Sequence, residues 1–358
     1  MPEFKPLDRV IFGTADQSVT AKDVLDWAFA TGELDPHWKR LLTGVEAERM
    51  AAEQELEVEQ DTLNSEAEEF RYAHDLITAE ETERWLEERS VTLRDFAAFH
   101  SRYHWRTLFG DKAKPQPTDF ATASPELHEA LVIDLIFSDQ LDKIASRMSW
   151  RIAAGKSPEQ VGIDEALLEP MRGEFYKRAS ADPGKSSGAV TELGRDDDWL
   201  TEQLRMEARY KGVADMLLTP QARERELSNL RLPLTRFDLE TIELDSQDAA
   251  REAMFCVNED GMSMEEVAKE GRYPYRRAHI VLEDIAEELQ QRFLNVRDGA
   301  LIEPIPRGEG VELCRVIEKA EPNPEDEAVR KRIEARILNR HFGELTAKHI
   351  IWSLIRPE

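Results

Sequence analysis

The chain is organised around an alternating run of apolar and polar residues, Phe237-Asp-Leu-Glu-Thr-Ile-Glu-Leu244. Such alternation predicts a β-strand, because successive side chains of a strand point to opposite faces. Helical patterns follow over 246–258 and 261–268, and a further helix is expected before the closing strands. Those strands are predicted by Asp298-Gly-Ala-Leu-Ile-Glu-Pro-Ile-Pro306 and Gly310-Val-Glu-Leu-Cys-Arg-Val-Ile-Glu-Lys319. The predicted order of elements is thus a strand, a helix, a short helix, a further helix and two closing strands.

The composition is that of a folded but strongly acidic protein. The 358 residues are 41% hydrophobic and 34% charged, and the formal net charge is −26 at pH 7. This length predicts roughly two or three domains. A surface so acidic repels phosphate backbones and anionic lipids, so neither nucleic acid nor membrane insertion is expected. The charge favours solubility and would also attract basic peptides.

The two cysteines, Cys256 and Cys314, lie in apolar contexts and are expected in the core rather than in a disulfide or a metal pair. Residues 1–30 carry acids throughout and contain no uninterrupted apolar run of the length that a secretory signal requires. No stretch approaches the roughly 20 apolar residues of a membrane helix. A reduced, cytoplasmic protein is therefore expected.

The N-terminal part predicts a bundle of capped helices. Thr20, Thr78 and Thr92 each precede an acidic residue by three positions, which is the spacing of a capping box. The helix that starts near Thr20 is expected to end at Gly32, because glycine commonly terminates helices. The apolar spacing over 35–64 predicts one longer helix whose later turns are dense in glutamate.

The expected domain organisation has four parts. A helical domain is predicted over 1–110, a further helical segment over 118–232, the domain of these strands and helices over 233–320, and a C-terminal segment over 321–358. A turn-rich stretch predicts a mobile loop near 180–188. The C-terminal segment is expected to form a helix and an apolar tail. The tail is expected to be docked as a strand or a helix end, since exposing that much apolar surface is unfavourable.

Residues 237–319 resemble the parvulin-type peptidyl-prolyl isomerase domain of SurA-like chaperones. The residues at family positions are Val267, Ala268, Phe293, Gly299, Pro304 and Gly310. In the N-terminal part, Phe70-Arg71, Thr82-x-x-Trp85-Leu86 and Leu93-x-x-Phe96 are similar to the helical peptide-binding domains of SurA-like and trigger-factor-like chaperones. The resemblance implies an α+β fold, with a mainly helical chaperone domain and a small parvulin-like α/β domain built on an antiparallel sheet. It also implies that the C-terminal helix and apolar tail over 321–358 pack back on the helical domain.

The catalytic positions of the parvulin-type family are altered in this chain. By the resemblance, Thr241 and Glu312 stand where the family has histidines, and 271–280 forms a shorter loop without the family's glycine turn. A hydroxyl plus a carboxylate does not reproduce the proton and hydrogen-bond roles of imidazole. No intact catalytic set is therefore expected. His279 is a possible substitute, although a histidine at a strand edge or on the surface is the simpler interpretation.

A peptide-binding role is predicted for two groups of apolar residues, each of which would otherwise be ordinary core. The first group would form the former proline groove of the parvulin-like domain, and the second would line a cradle between helices. The groove residues are Ile242, Met264, Leu289 and Phe293. The cradle residues are Trp38, Phe70, Trp85 and Phe96.

No metal and no cofactor are expected. His100 and His104 are four residues apart and could share a helix face, but no further ligands accompany them at the spacing that zinc requires. The acids at 196–198 precede a predicted helix, where capping and the helix dipole explain them.

The predicted function is a non-catalytic chaperone or accessory protein that holds an extended or unfolded peptide. By analogy with cytoplasmic relatives, the client would be a precursor of a ribosomal peptide natural product, and the partners would be peptide-modifying enzymes or an exporter. Two alternatives stay open. One is a divergent but active peptidyl-prolyl cis-trans isomerase, and the other is a structural adaptor that dimerises through its apolar C-terminal run.

Overall fold

A computed structural model describes residues 6–158, 162–163, 165–179, 188–308 and 310–353. It divides the chain into two compact units. Unit 1 comprises Met1–Met216 and Arg340–Glu358, and unit 2 comprises Leu217–Asn339. Two helical segments were predicted separately, over 1–110 and 118–232. The first segment and the part of the second up to Met216 both belong to unit 1.

The fold is α+β, as predicted, since helices dominate and both sheets are antiparallel. None of the helices in the described part of the chain is long and apolar enough to cross a membrane. The loop predicted near 180–188 lies outside the described residues except for Gly188.

Unit 1 is a helical assembly with one small sheet. Its strands and helices are β1 (Val10–Gly13), β2 (Ser18–Thr20), α1 (Ala21–Thr31), α2 (Asp35–Glu53), α3 (Gln60–Ala73), α4 (Ala79–Glu88), α5 (Leu93–Phe109), α6 (Pro125–Phe137), α7 (Gln140–Ala154), α8 (Leu168–Ala179), α9 (Ala189–Glu192) and α10 (Asp197–Leu217). It is completed by the last turns of α15 (Glu327–His349) and by β7 (Ile351–Trp352).

The predicted capping boxes are confirmed. The Thr20 side chain accepts a hydrogen bond from the Asp23 amide, and the Asp23 carboxylate accepts one from the Thr20 amide. Thr78 and Thr92 form the same reciprocal arrangement at the starts of α4 and α5. Gly32 ends α1 with φ of 84°, a left-handed conformation that glycine adopts without a steric penalty.

The single helix predicted over 35–64 is wrong, because the chain breaks between α2 and α3. Glu55 has φ of 55°, and the amide of Leu56 donates to the carbonyl of Ala51, which closes the end of α2. A left-handed residue at this point stops helix propagation, and a glutamate-rich sequence carries no apolar stripe to hold the helix together.

The C-terminal run is docked on unit 1 as a strand. Ile351 and Trp352 pair antiparallel with β1, and the Trp352 ring lies 5.2 Å from that of Phe12. Of the two expected forms, a docked strand or a helix end, these two residues adopt the strand, while 354–358 lie outside the described residues. Upstream, the Phe342 ring stacks on Trp150 at 5.5 Å, so the end of α15 contacts α7.

Unit 2 is a four-stranded antiparallel sheet with helices on both faces. Its elements are α11 (Pro220–Asn229), β3 (Arg236–Leu244), α12 (Gln247–Asn258), α13 (Met264–Gly271), β4 (Tyr275–Val281), α14 (Glu287–Asn295), β5 (Ile305–Arg307), β6 (Gly310–Ala320) and the first turns of α15. The strand order is β4-β3-β6-β5. In this register Thr241 lies opposite Arg276 on one side and Cys314 on the other.

Two separate apolar clusters cover the two faces of this sheet. Ile242 and Leu313 pack with residues of α12 and α13, whereas Phe237 and Val316 pack with residues of α14. The alternation of side chains along β3 and β6 produces this division.

The stretch 271–280 was interpreted as a rebuilt loop, and that is wrong in part, because it contains most of β4. Seven consecutive β4 residues pair with β3, from Tyr275 opposite Ile242 to Val281 opposite Arg236. The strand lies at the edge of the sheet and is largely exposed, so its sequence carries few of the apolar positions that mark a strand.

Candidate functional site

The candidate site is a cavity of about 420 Å³ between α14 and the sheet of unit 2. We call it the α14 cavity. One side is apolar and the other is polar, because β3, β4 and β6 contribute different residues along their length. The apolar lining residues include Leu239, Ile280, Ile285, Leu289, Phe293 and Ile305.

Phe293 forms the base of the apolar side. Its side chain is 4% exposed, and its ring meets that of Phe237 edge-on at 5.6 Å and 81°. Leu289 lies one helical turn earlier on the same face of α14 and is half-buried. The i, i+4 spacing therefore places a buried ring beneath an accessible leucine, which leaves the leucine free to contact a ligand.

A network of charged side chains forms the polar side. Arg276 Nε donates to Thr241 Oγ1 at 3.1 Å, and Arg276 Nη2 donates to Glu312 Oε1 at 2.7 Å. Arg307 Nη1 donates to the same carboxylate oxygen at 2.7 Å. Glu243 lies 3.3 Å from Arg276, which adds a second carboxylate. Two arginines and two glutamates thus balance one another's charge beside the buried Thr241 hydroxyl.

Two groups beside the cavity hold their protons at neutral pH. The hydrogen bond to Glu312 raises the pKa of Arg276, so its guanidinium keeps its charge. Burial raises the pKa of the adjacent Cys314 thiol to about 12, so this thiol stays protonated. His279 also borders the cavity, but it is an exposed residue of the edge strand β4. An apolar wall that faces fixed charges is an arrangement suited to binding a ligand.

The structure divides the predicted groove residues between the two faces of the sheet. Leu289 and Phe293 line the α14 cavity, but Ile242 and Met264 are fully buried in the cluster on the opposite face. Grouping all four in one groove is wrong, because Ile242 follows Thr241 and adjacent strand residues point to opposite faces.

The predicted cradle aromatics belong to the interior of unit 1. Trp38, Phe70 and Trp85 are 7–9% exposed and lie in the same apolar cluster, and the half-buried Phe96 packs against it. The Phe70 ring lies 5.2 Å from both Trp85 and Phe96. These side chains stabilise the fold by contacting one another, so the prediction that they line a cradle is wrong for this structure.

The residues weighed as metal ligands have other partners. His100 Nδ1 lies 3.0 Å from Glu66, and His104 Nδ1 lies 3.8 Å from the same carboxylate. Asp196 caps α10 by accepting a hydrogen bond from the Trp199 amide at 2.7 Å. The described residues contain no group of three or more His, Cys, Asp or Glu that could hold a metal ion.

Arg276 and Arg307 were not predicted as site residues. Their position depends on the pairing of β4 with β3 and of β5 with β6, which residue spacing does not show. The only local signal is that Arg276 and Arg277 stand in a stretch rich in β-formers, Tyr275 to Val281.

Comparison with models of known protein families finds no match, and none is found among curated proteins. The chain is similar to solved structures of foldases and chaperones. The peptidylprolyl isomerase PrsA from Bacillus cereus is 16% identical, with a TM-score of 0.37 over 60% of this chain and 85% of that chain. PrsA from Bacillus anthracis is 14% identical, with a TM-score of 0.32 over 58% and 97%.

A SurA-like chaperone of Campylobacter jejuni is 8% identical, with a TM-score of 0.20 over 62% of this chain and 89% of that chain. These matches are PrsA and SurA-like proteins, to which the sequence of residues 237–319 also shows resemblance. At such identities and TM-scores they carry no activity over to this chain.

Proposed function

We propose that unit 2 binds a short extended segment of a client polypeptide in the α14 cavity, without catalysing proline isomerisation. One observation carries the proposal: the accessible Leu289 side chain, above the buried Phe293 ring, faces an ion-pair network around Thr241 and Glu312, the two positions where the resemblance would place histidines.

The size and lining of the cavity support binding of one apolar side chain with its backbone. A volume of about 420 Å³ lies within the range of small-ligand sites, which is roughly 300–1,000 Å³. Burying an apolar side chain against Leu289 and Phe293 would contribute about 2 kcal/mol. The balanced charges of Arg276, Arg307, Glu243 and Glu312 favour neither an acidic nor a basic residue at this position.

The polar side supports binding without catalysis. Isomerisation of an X-Pro bond crosses a barrier of roughly 20 kcal/mol, and a catalyst must lower it by stabilising the twisted imide. The Thr241 hydroxyl already accepts a hydrogen bond from Arg276, and both arginines already donate to Glu312. These hydrogen bonds orient the Thr241 hydroxyl and the two guanidiniums toward one another rather than toward a bound imide.

The proposed class of client polypeptide is inferred from the sequence. We propose a precursor of a ribosomal peptide natural product, held in the cytoplasm for modifying enzymes or an exporter. The observations that support it are the resemblance to SurA-like proteins and the altered positions Thr241 and Glu312.

The test is a titration of the full-length chain with fluorescently labelled unfolded peptides, some containing X-Pro, followed by anisotropy. The informative variant is Leu289→Ala. Leu294→Ala is the matched control, because both leucines are half-buried residues of α14 and only Leu289 lines the cavity. Leu289→Ala is expected to weaken binding about tenfold, and Leu294→Ala to leave it within about twofold.

Equal weakening by the two variants would show that α14 acts only through stability. Absence of saturable binding at micromolar chain concentration would remove the proposal. Binding of all peptides with turnover of the X-Pro bond would establish the isomerase alternative instead.

A further inference from the structure

A second cavity lies within unit 1, between α2, α5 and α6. Its volume is about 220 Å³. We call it the three-helix cavity. The apolar lining consists of Leu41 from α2, Phe99 from α5, and Leu131 and Leu135 from α6. Its volume suits a single small group rather than a whole peptide segment.

Two arginines at this cavity make no close ion pair among the described residues, and Asp134 acts on both of them only through longer-range electrostatic attraction. Among the described residues, neither Arg40 nor Arg106 forms an ion pair, although the chain carries 73 acidic residues against 47 basic ones. Arg40 Nη2 donates to His37 Nδ1 at 3.3 Å, and the Arg106 guanidinium lies 5.3 Å above the Tyr103 ring. Both guanidiniums therefore retain free donors beside an apolar wall.

The neighbouring charges leave this cavity positive. Asp134 is the acidic lining residue, and its carboxylate already accepts two hydrogen bonds from Arg102, one of them at 3.1 Å. The pKa of Arg106 is lowered first by burial and next by Arg40. Burial, and then Arg40 and Arg147, lower the pKa of His37. These directions agree with the geometry in showing excess positive charge at the cavity.

We propose that the three-helix cavity binds a carboxylate attached to a small apolar group. Arg40 and Arg106 would donate to the carboxylate, and the apolar group would pack on Phe99 and Leu131. Guanidinium groups match the planar geometry of a carboxylate. Arg106 is half-buried, which strengthens its charge-assisted bonds, whereas Arg40 is exposed and adds its charge from the rim. Two sources offer this chemistry: the C-terminal residue of a peptide and a free short-chain carboxylic acid.

This site is independent of the α14 cavity, since its residues belong to unit 1 alone. Binding of a carboxylate at the three-helix cavity, or its absence, can therefore be measured separately from the peptide binding proposed for unit 2. Leu289→Ala should leave carboxylate binding unchanged.

Calorimetric titration of the full-length chain tests the proposal with four probes. These are 4-methylpentanoate, a pentapeptide ending in leucine, the same peptide with an amidated C-terminus, and inorganic phosphate. The variants are Arg40→Gln and Arg106→Gln. Arg94→Gln is the control, because Arg94 is an exposed arginine of α5 that does not line the cavity.

Saturable binding of 4-methylpentanoate or of the free-acid peptide is expected, with about tenfold weakening by Arg40→Gln or Arg106→Gln and less than twofold by Arg94→Gln. Which of the two binds more tightly identifies the source. A bound carboxylate should also raise the pKa of His37, measured as the titration of its ring-proton NMR signal, which Arg94→Gln should not affect.

Three results would overturn the proposal. The first is no saturable binding of either carboxylate at millimolar concentration. The second is equal binding of the amidated peptide or of phosphate. The third is equal weakening by Arg94→Gln and Arg40→Gln, which would indicate only general electrostatic attraction.

Discussion

Glu240 is the acidic residue whose replacement should most strongly destabilise unit 2. It is 3% exposed on β3, on the face of the sheet opposite the α14 cavity. Its carboxylate accepts two hydrogen bonds from Arg315, one of them at 2.8 Å from Nε, and one at 2.8 Å from the Tyr275 hydroxyl. Arg277 adds a contact at 3.2 Å, but its side chain is 70% exposed, so solvent weakens its contribution.

Glu240→Gln is expected to cost about 2 kcal/mol of the free energy of unfolding. The amide keeps the shape of the side chain but loses the charge, and a hydrogen bond to a charged group is worth about 1 kcal/mol more than a neutral one. Two bonds from Arg315 are affected. Breaking a fully buried pair costs about 3–5 kcal/mol, which is an upper bound because Arg315 is 27% exposed.

The pH dependence supplies an independent check. Burial opposes ionisation of Glu240, but the hydrogen bonds from Tyr275 and Arg315 outweigh it, so its pKa is lowered. A lowered folded-state pKa contributes stability that is present above the unfolded value, about 4.3, and is lost as pH falls through the folded value. The difference between the native chain and Glu240→Gln should therefore narrow as pH falls below about 4.

The assay must report on unit 2 alone. All seven tryptophans lie in unit 1, so their fluorescence does not follow unit 2. Hydrogen exchange of β3 and β6 peptides, measured in increasing urea by mass spectrometry, gives the required stability. Glu318→Gln is the control, since Glu318 is exposed on β6. An unchanged stability of Glu240→Gln at pH 7, or a difference that does not narrow as pH falls below about 4, would refute this reasoning.

Further expectations concern the sheet, the thiols and the C-terminus. Gly310→Ala should destabilise unit 2 by about 1–3 kcal/mol in the same exchange assay, because an added Cβ would lie 2.6 Å from the Leu244 carbonyl oxygen. An unchanged rate of hydrogen exchange would contradict this close approach. In the native chain at pH 8, an aromatic disulfide reagent should react with Cys256 before Cys314. Cys314 is 3% exposed, and burial raises the pKa of its thiol to about 12. Equal reaction rates of the two thiols would contradict that burial. Deleting 350–358 should lower the stability of unit 1, because β1 loses its partner β7. Sedimentation should give the truncated chain the same oligomeric state as the native chain, whereas a halved mass would support the dimerising adaptor.

Local signals in the sequence predicted the helix starts correctly. The capping residues Thr20, Thr78 and Thr92 act on amides three residues away, so their role is contained in a short stretch of sequence. The strands β3 and β6 of unit 2 were also predictable, because their alternation has the period of a strand, whereas their antiparallel pairing was expected only from the resemblance.

The candidate site was predicted only in part, because it depends on contacts between distant residues. Leu289 and Phe293 lie together through helical spacing, which the sequence shows. Arg276 reaches Thr241 and Glu312 only because β4 pairs with β3 in one register. No spacing rule shows that register, and an exposed edge strand gives a weak hydrophobic pattern.

Burial explains the remaining differences. Aromatic residues such as Trp38 and Phe70 suit a binding surface and a core equally well in a sequence. Their packing against other helices decides between the two, and in unit 1 it places them in the interior.

Binding and isomerisation measured on one labelled X-Pro peptide provide the most direct test of the function proposed for the α14 cavity. The full-length chain and Leu289→Ala would be compared by anisotropy and by a protease-coupled isomerisation assay. We expect saturable binding that weakens about tenfold in Leu289→Ala, with an isomerisation rate equal to the uncatalysed rate for both chains. Catalysed isomerisation that Leu289→Ala diminishes would contradict binding without catalysis, and identical affinities of the two chains would contradict the α14 cavity as the site.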